Sequence, residues 1–258
     1  MMKDFRNLFN LEGKRAVVTG GAGEIGRDVI IGLGQYGADV VVFDIDTESI
    51  AGYLQETFQQ LGRKIELMMV DVTKASQVVQ AFNSLEEKYG RLDILINAAG
   101  INKRVPTVEF SEEDWDRIID INLKGTFLCS REAAKIMKKQ QSGKIINFGS
   151  VSSVLGHPKH SAYAASKGGV LLLTKVMAVE LAREGINVNA IGPAYIETDL
   201  TRDYLEQGNH YAEIVQTIPM GRLGKTEDMV GAVIYLASSA SDFVTGTLLL
   251  VDGGRTAD

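Results

Sequence analysis

The chain has 258 residues, 45% of them hydrophobic, with 27 Lys and Arg against 33 Asp and Glu and a formal net charge of −6. That is enough apolar material for one α/β domain spanning 1–258, and the scattered basic residues form no electrostatic footprint for nucleic acid or an anionic membrane. A lone cysteine excludes an internal disulfide, the charged start Met1-Met-Lys-Asp-Phe-Arg6 lacks a signal peptide's apolar core, and no uninterrupted apolar run matches a bilayer, so a cytoplasmic protein is expected. Cys129 itself, in Phe127-Leu-Cys-Ser130, reads as a small helix-core residue and not a nucleophile.

Short β-branched runs alternate with helical patterns, which predicts βαβ units and a parallel sheet. The first strand, 15–19, breaks at Gly20-Gly-Ala-Gly-Glu-Ile-Gly26 into a helix that runs to about Tyr36 and stops at Gly37. Strand 39–44 ends in Asp44, helix 47–61 stops at Gly62, and strand 65–70, helix 74–89 and strand 92–97 follow. All four strands are mostly apolar, as a sheet covered on both faces requires. After a polar loop holding Lys103, Arg104 and Pro106, Ser111-Glu-Glu-Asp114 reads as a capping box opening one long helix to about Lys139. A fifth strand, 145–150, delivers Ser150 at its end; the helix containing Tyr163 and Lys167 runs to Leu181, and strand 186–191 stops at Gly192-Pro193. The stretch 197–224 has weak periodicity and predicts short helices forming a mobile lid. Thr226 caps a helix through Leu236, and 247–251 is a seventh strand.

Two patterns carry chemistry. Backbone amides of a glycine loop between a first strand and a helix point at a pyrophosphate, and the helix dipole favours its charge. Asp44, about 20 positions on at the end of strand two, is placed to bond the adenosine ribose hydroxyls and repel a 2′-phosphate, which predicts NAD over NADP. Tyr163 and Lys167 stand four apart on one helix face, so an ammonium lies beneath a phenol, favouring the phenolate and making the pair a general acid/base. Ser150 can then bond the carbonyl oxygen to which Tyr163 passes a proton. Lys103 and Arg104, beyond strand four, can hold a substrate carboxylate. His157 and His160 read as rim residues before the Tyr163 helix.

Thr19-Gly-Gly-Ala-Gly-Glu-Ile-Gly26, Asn97-Ala-Ala-Gly100, Asp71-Val72 and the Tyr163/Lys167 pair together resemble the short-chain dehydrogenase/reductase family over nearly the whole chain. The resemblance implies a Rossmann-type doubly wound parallel sheet ordered 3-2-1-4-5-6-7, with helices on both faces. It implies Asn122, Ser150, Tyr163 and Lys167 as the catalytic set, with Lys167 also holding the nicotinamide ribose and Asn122 a relay water. Cofactor contacts are implied at Gly20, Ala22, Glu24, Ile25, Gly26, Asp44, Ile45, Asp71, Val72, Asn97, Ala98, Gly100, Tyr163, Lys167, Pro193, Ile196 and Thr198. No metal is expected; a homotetramer is. Two positions depart from the family: Ala194 follows Pro193 where Gly is usual, and Glu24 replaces the middle loop Gly. Glu24 predicts either a side chain turned to solvent or a carboxylate occupying the pyrophosphate site of the free protein. Leu8-Phe-Asn-Leu-Glu-Gly-Lys14, Gly100-Ile-Asn-Lys-Arg104-Val-Pro106 and the ending Phe243 to Gly254 are similar to gluconate 5-dehydrogenases, implying a sugar-acid or polyol substrate, Lys103, Arg104, Ser150 and Tyr163 contacting it. The alternatives are a 3-oxoacyl-carrier-protein reductase and a non-catalytic nucleotide-sensing scaffold.

Overall fold

Seven strands, β1 (Arg15–Thr19), β2 (Asp39–Asp44), β3 (Ile65–Met69), β4 (Ile94–Asn97), β5 (Gly143–Phe148), β6 (Ile186–Pro193) and β7 (Leu248–Val251), form one all-parallel sheet in the order β3-β2-β1-β4-β5-β6-β7. The structure, a computed structural model, describes residues 5–257; the Met1–Asp4 part of the charged start and Asp258 lie outside them. Strand order reverses between β1 and β4, so the carboxyl ends of those two strands open a crevice.

The continuous apolar runs are explained by successive residues facing opposite helical layers. Val18, Val40, Val42, Ile94 and Ile96 pack with Val29, Ile30 and Leu33 of α1 (Glu24–Gln35), Leu54 and Phe58 of α2 (Glu48–Leu61), and Met229 and Val233 of a helix later in the chain. Their neighbours Val17, Val41, Phe43, Leu95 and Ile145 face the other way. They meet Val78 and Phe82 of α3 (Ala75–Tyr89) and residues of the helices that flank β5. The two edge strands are the exception: β3 and β7 are only half-buried, with Met69 and Leu250 exposed.

Ser111 caps its helix as expected, accepting the Asp114 N–H at 3.2 Å. The single helix predicted to Lys139 is instead three pieces: α4 (Glu112–Ile119), a π-helical turn Asp120–Gly125, and α5 (Thr126–Gln140). Thr126 Oγ1 donates to the Asn122 carbonyl at 2.7 Å within this widened turn. Cys129 of α5 is fully buried, and burial, then Glu132, pushes its thiol up to about 12, so it is an inert core residue.

α6 (Ser161–Leu181) is long and apolar enough, by length and composition alone, to cross a membrane. Here its buried face, with Val170, Met177 and Ala178, packs on β5, β6 and the π-turn. Beyond β6 the chain makes an excursion closed at its base by a bridge between Ile196 and Gly224. It holds α7 (Asp199–Leu205), α8 (His210–Gln216) and a small apolar cluster of Leu205, Ile214, Ile218 and Leu223. α9 (Glu227–Ala237) returns to the sheet and supplies Met229 and Val233.

The loop after β1 is built around two close approaches. Gly20 has φ +73°, and a Cβ on it would stand 2.6 Å from the Ala99 backbone; on Gly26 it would stand 2.2 Å from the Gly20 carbonyl oxygen. Gly26→Ala is therefore expected to destabilise the protein by about 2 kcal/mol through overpacking against backbone that cannot yield. Urea denaturation of the variant checks this.

Candidate active site

The crevice at the β1/β4 reversal is lined by Gly20, Ala22, Gly23, Asp44, Ile45, Asp71, Val72, Ala98 and Gly100, among others, and among the described residues no Lys or Arg lines it. Asp44 is fixed in its wall: one carboxylate oxygen accepts the Ala22 N–H at 2.9 Å and the other the Asp46 N–H at 3.0 Å. The Ala22 N–H thus serves Asp44. Asp71 is held by Thr73, whose N–H and hydroxyl reach it at 2.9 and 2.7 Å. A cleft with two glycines where Cβ atoms would clash, and a fixed carboxylate where a ribose would lie, fits a dinucleotide.

Several residues expected to contact the cofactor also hold the fold together. The Asn97 amide donates to Ser130 Oγ at 2.9 Å and Asn147 Oδ1 at 2.8 Å, and Asn147 in turn donates to Thr174 Oγ1 at 2.9 Å. Asn97 therefore ties β4 to β5 and α5 from within the sheet. Ile25 packs against the core, Pro193 pairs with Val251 in the sheet, and the Thr198 N–H donates to Thr201 Oγ1 at 3.0 Å.

Glu24 corrects both expectations for it. Its Oε2 accepts the Asp199 N–H at 2.6 Å and its Oε1 lies 3.8 Å from Arg202 Nη2. The carboxylate neither faces solvent alone nor folds into the phosphate loop. A helix start has unpaired N–H groups, and the first residue of α7 offers one within reach.

At the carboxyl end of β5, Ser150 lies two residues beyond the strand, capping the short turn Val151–Ser153. Its Oγ accepts the Ser152 N–H at 3.1 Å. Ser153 Oγ accepts the Ser150 N–H at 3.2 Å and donates to the Lys167 carbonyl at 2.9 Å, fastening this turn to α6. Lys167 is buried and its Nζ donates to the Phe148 carbonyl at 2.6 Å. Nζ is 5.7 Å from the centre of the Tyr163 ring. Burial lowers the Lys167 ammonium to about 8 and raises Tyr163 above its ordinary value, Ser150 and then Arg104 opposing the latter. Against the expectation of a phenol drawn down by Lys167, burial, which outweighs Ser150 and Arg104, carries it the other way.

Asn122, on the π-turn, is fully buried and its amide is wholly used. Its Nδ2 donates to the Ile101 carbonyl at 2.9 Å and Ser166 Oγ at 3.1 Å, while its Oδ1 accepts the Ile101 N–H at 2.9 Å. A Cβ on Gly100 would lie 3.4 Å from Asn122 Oδ1 and 3.6 Å from Lys167 Nζ, so these three meet where the cleft ends.

Beside the cleft, Asn102, Arg104, Ser150, His157, Tyr163, Ala194 and Tyr195 line a second pocket, roofed by Leu200 and Thr201. The Arg104 guanidinium lies 4.1 Å over the Tyr204 ring, and its buried Nε has no partner. Lys103 does not join it: exposed, it pairs with Asp114 at 2.5 Å and holds that carboxyl below its usual range. The Asp114 carboxylate thus holds Lys103 away from the pocket that Arg104 lines. His160 is buried, with Nδ1 on the Pro158 carbonyl at 2.8 Å, and is not a rim residue. Burial, then Arg255, lowers His157; burial dominates for His160 as well. Asn102, Tyr195, Tyr204 and Arg255 were not singled out from sequence; for Tyr195 the available signal was its position just after β6.

A family model described as Enoyl-(Acyl carrier protein) reductase matches residues 20–256. The 5-keto-D-gluconate 5-reductase of Escherichia coli K12 is 40% identical over 248 residues, 96% of this chain and 97% of that protein. The chain belongs to the short-chain dehydrogenase/reductase family. It is thus an oxidoreductase of that family, similar to gluconate 5-dehydrogenases acting on CH–OH groups. A gluconate 5-dehydrogenase from Burkholderia cenocepacia J2315, solved in complex with NADP and tartrate, superposes with a TM-score of 0.93 at 39% identity over 98% of each chain. The 3-oxoacyl-[acyl-carrier-protein] reductase of Thermotoga maritima is 39% identical over 244 residues, 95% of this chain and 98% of its own.

In this short-chain dehydrogenase/reductase the buried Lys167 bears on stability. Its folded value lies below its unfolded one, so its cost is fully present below pH 8 and vanishes as pH rises toward the unfolded value. Relative to Lys167→Met, which has no titrating group there, the protein is expected to gain about 1 to 3 kcal/mol of stability as pH rises from 7 to 10. Denaturant titrations at the two pH values check this.

Proposed function

We propose that this protein interconverts a secondary alcohol and a ketone on a sugar acid or polyol, with NAD as the preferred cofactor. The observation that carries the reading is one pocket presenting the Tyr163 and Ser150 hydroxyls together with the Arg104 cation, at the inner end of a dinucleotide cleft. A nicotinamide bound in that cleft supplies hydride acceptance and return. Tyr163 takes the proton from the substrate hydroxyl, or returns it to a carbonyl oxygen that Ser150 steadies. Lys167 holds the far side of this arrangement, bound to the Phe148 carbonyl and facing the cleft, and with the ribose in place it stabilises the phenolate. Asn122 fixes the loop that carries Gly100 and, in this reading, lies on the proton's way out. Arg104 receives the carboxylate, and tartrate in the Burkholderia enzyme is a hydroxylated acid of that character.

NAD preference rests on Asp44, fixed by two backbone N–H groups in a cleft that, among the described residues, has no cation to welcome a 2′-phosphate. The Burkholderia neighbour is in complex with NADP, and the Asp44 reading departs from it. The segment 197–224 acts as a lid on one catalytic domain. A homotetramer fits the apolar stripe Leu172, Val176 and Val179 along α6, beside Phe127 of α5, all exposed. A cytoplasmic location accords with the single, buried Cys129. No membrane or nucleic-acid partner enters this reading.

With NAD and a panel of aldonates, absorbance at the NADH band is expected to rise, with a preference of at least about tenfold, on the order of 1.4 kcal/mol, over NADP. Asp44→Ala narrows that gap. Turnover confined to acyl thioesters with NADPH overturns the reading in favour of a carrier-protein reductase. Tyr163→Phe is expected to lose at least roughly a hundredfold in kcat while NAD still binds, because only the proton-transfer group is gone. Stopped-flow kinetics and calorimetry of the variant measure the two separately.

A further inference from the structure

Three buried polar atoms without partners belong to residues lining the same small pocket: Asn102 Oδ1, Arg104 Nε and His157 Nε2. The Arg104 atom is accounted for by a substrate anion. The other two are not. Asn102 and His157 come from different loops, one after β4 and one before α6. A bond from the Val105 N–H to the Lys159 carbonyl at 3.1 Å ties those two loops together. The pair is thus held as one wall, and that wall also carries Ser150 and Tyr163.

We propose that Asn102 and His157 are specificity-determining residues that read hydroxyl groups on the carbons neighbouring the reacting one, so that the pocket selects a polyhydroxylated acid over a simple hydroxy acid. This rests on the sugar-acid reading above and deepens it.

The His157 ring is held by its surroundings. Its Nδ1 lies 3.3 Å from Ser152 Oγ, and its ring meets His160 and Tyr195 edge-on with centroids 5.9 and 6.4 Å away. Burial and the nearby Arg255 both disfavour the protonated ring, so His157 presents a neutral nitrogen that a second carboxylate would not prefer. A hydroxyl both donates and accepts, so it satisfies that nitrogen in either tautomer and equally satisfies the Asn102 amide in either orientation. An aliphatic chain in the same place would leave both atoms as unpaired as they are in the free protein and forgo the hydrogen bonds that a hydroxylated chain gains, so the two substrates are separated by those bonds.

The test compares the best-used aldonate of a panel with 3-hydroxybutyrate, which keeps a carboxylate and a secondary alcohol but has no further hydroxyl. The variants are Asn102→Ala, His157→Phe and the conservative His157→Gln. For Asn102→Ala and His157→Phe, kcat/KM on the aldonate is expected to fall at least tenfold, mainly through KM. The loss on 3-hydroxybutyrate is expected to be at least fivefold smaller. His157→Gln, which keeps a hydrogen-bonding group, is expected to recover a substantial part of the aldonate activity, and NADH binding by fluorescence reports that each variant is folded. Equal losses on the two acids, or none on the aldonate, overturn the hydroxyl reading while sugar-acid oxidation stands. Failure of the unaltered protein to oxidise any aldonate overturns both.

Discussion

A lysine ammonium buried beside the end of a central strand constrains everything around it. Lys167 is held there by the Phe148 carbonyl at the end of β5, which accepts a hydrogen bond from its Nζ at 2.6 Å. That bond requires the first turns of α6 to lie against the end of β5, and this in turn sets Tyr163 beside Ser150. The Ser153 hydroxyl, shared between the Ser150 N–H and the Lys167 carbonyl, locks the same two elements from the other side. Reactive groups held by such a support have little freedom to drift from their geometry, which is what positioned chemistry needs.

The two halves of the crevice are electrically opposite. Asp44 and Asp71 line the outer part, with no cation in its walls among the described residues, whereas Arg104 stands in the adjoining pocket, its charge felt by Tyr163 and Tyr195. A cofactor and an anionic substrate are therefore sorted by charge as well as by shape.

The sheet was legible from sequence because each buried strand has to face two helical layers at once, and Val17 to Val18 or Val40 to Phe43 can do so only as unbroken apolar runs. Asp44, Ser150, Tyr163, Lys167 and Arg104 were legible because each sits at a strand end or on a helix face of fixed period. What escaped was decided by tertiary contact. The π-turn at Asn122 leaves no trace in apolar periodicity, since its neighbours Ile101 and Ser166 are distant in sequence. Lys103 and Arg104 are indistinguishable in the chain, and only Asp114, across the loop, draws one outward. The direction of the Tyr163 shift was missed because burial, which sequence does not give, outweighs the neighbouring charge.

Glu24 has its own consequence. Where a glycine would leave the phosphate loop and the 197–224 excursion as separate bodies, this carboxylate joins the first turn of α1 to the first turn of α7. Two regions that share a bond cannot be perturbed independently. Whatever free energy a dinucleotide contributes by shifting the start of α1 is felt in the placement of α7, and linkage makes the effect reciprocal. Asp199 and Arg202, which carry the contact, flank Leu200 and Thr201 at the second pocket, so the phosphate loop and the roof of that pocket share one short helix.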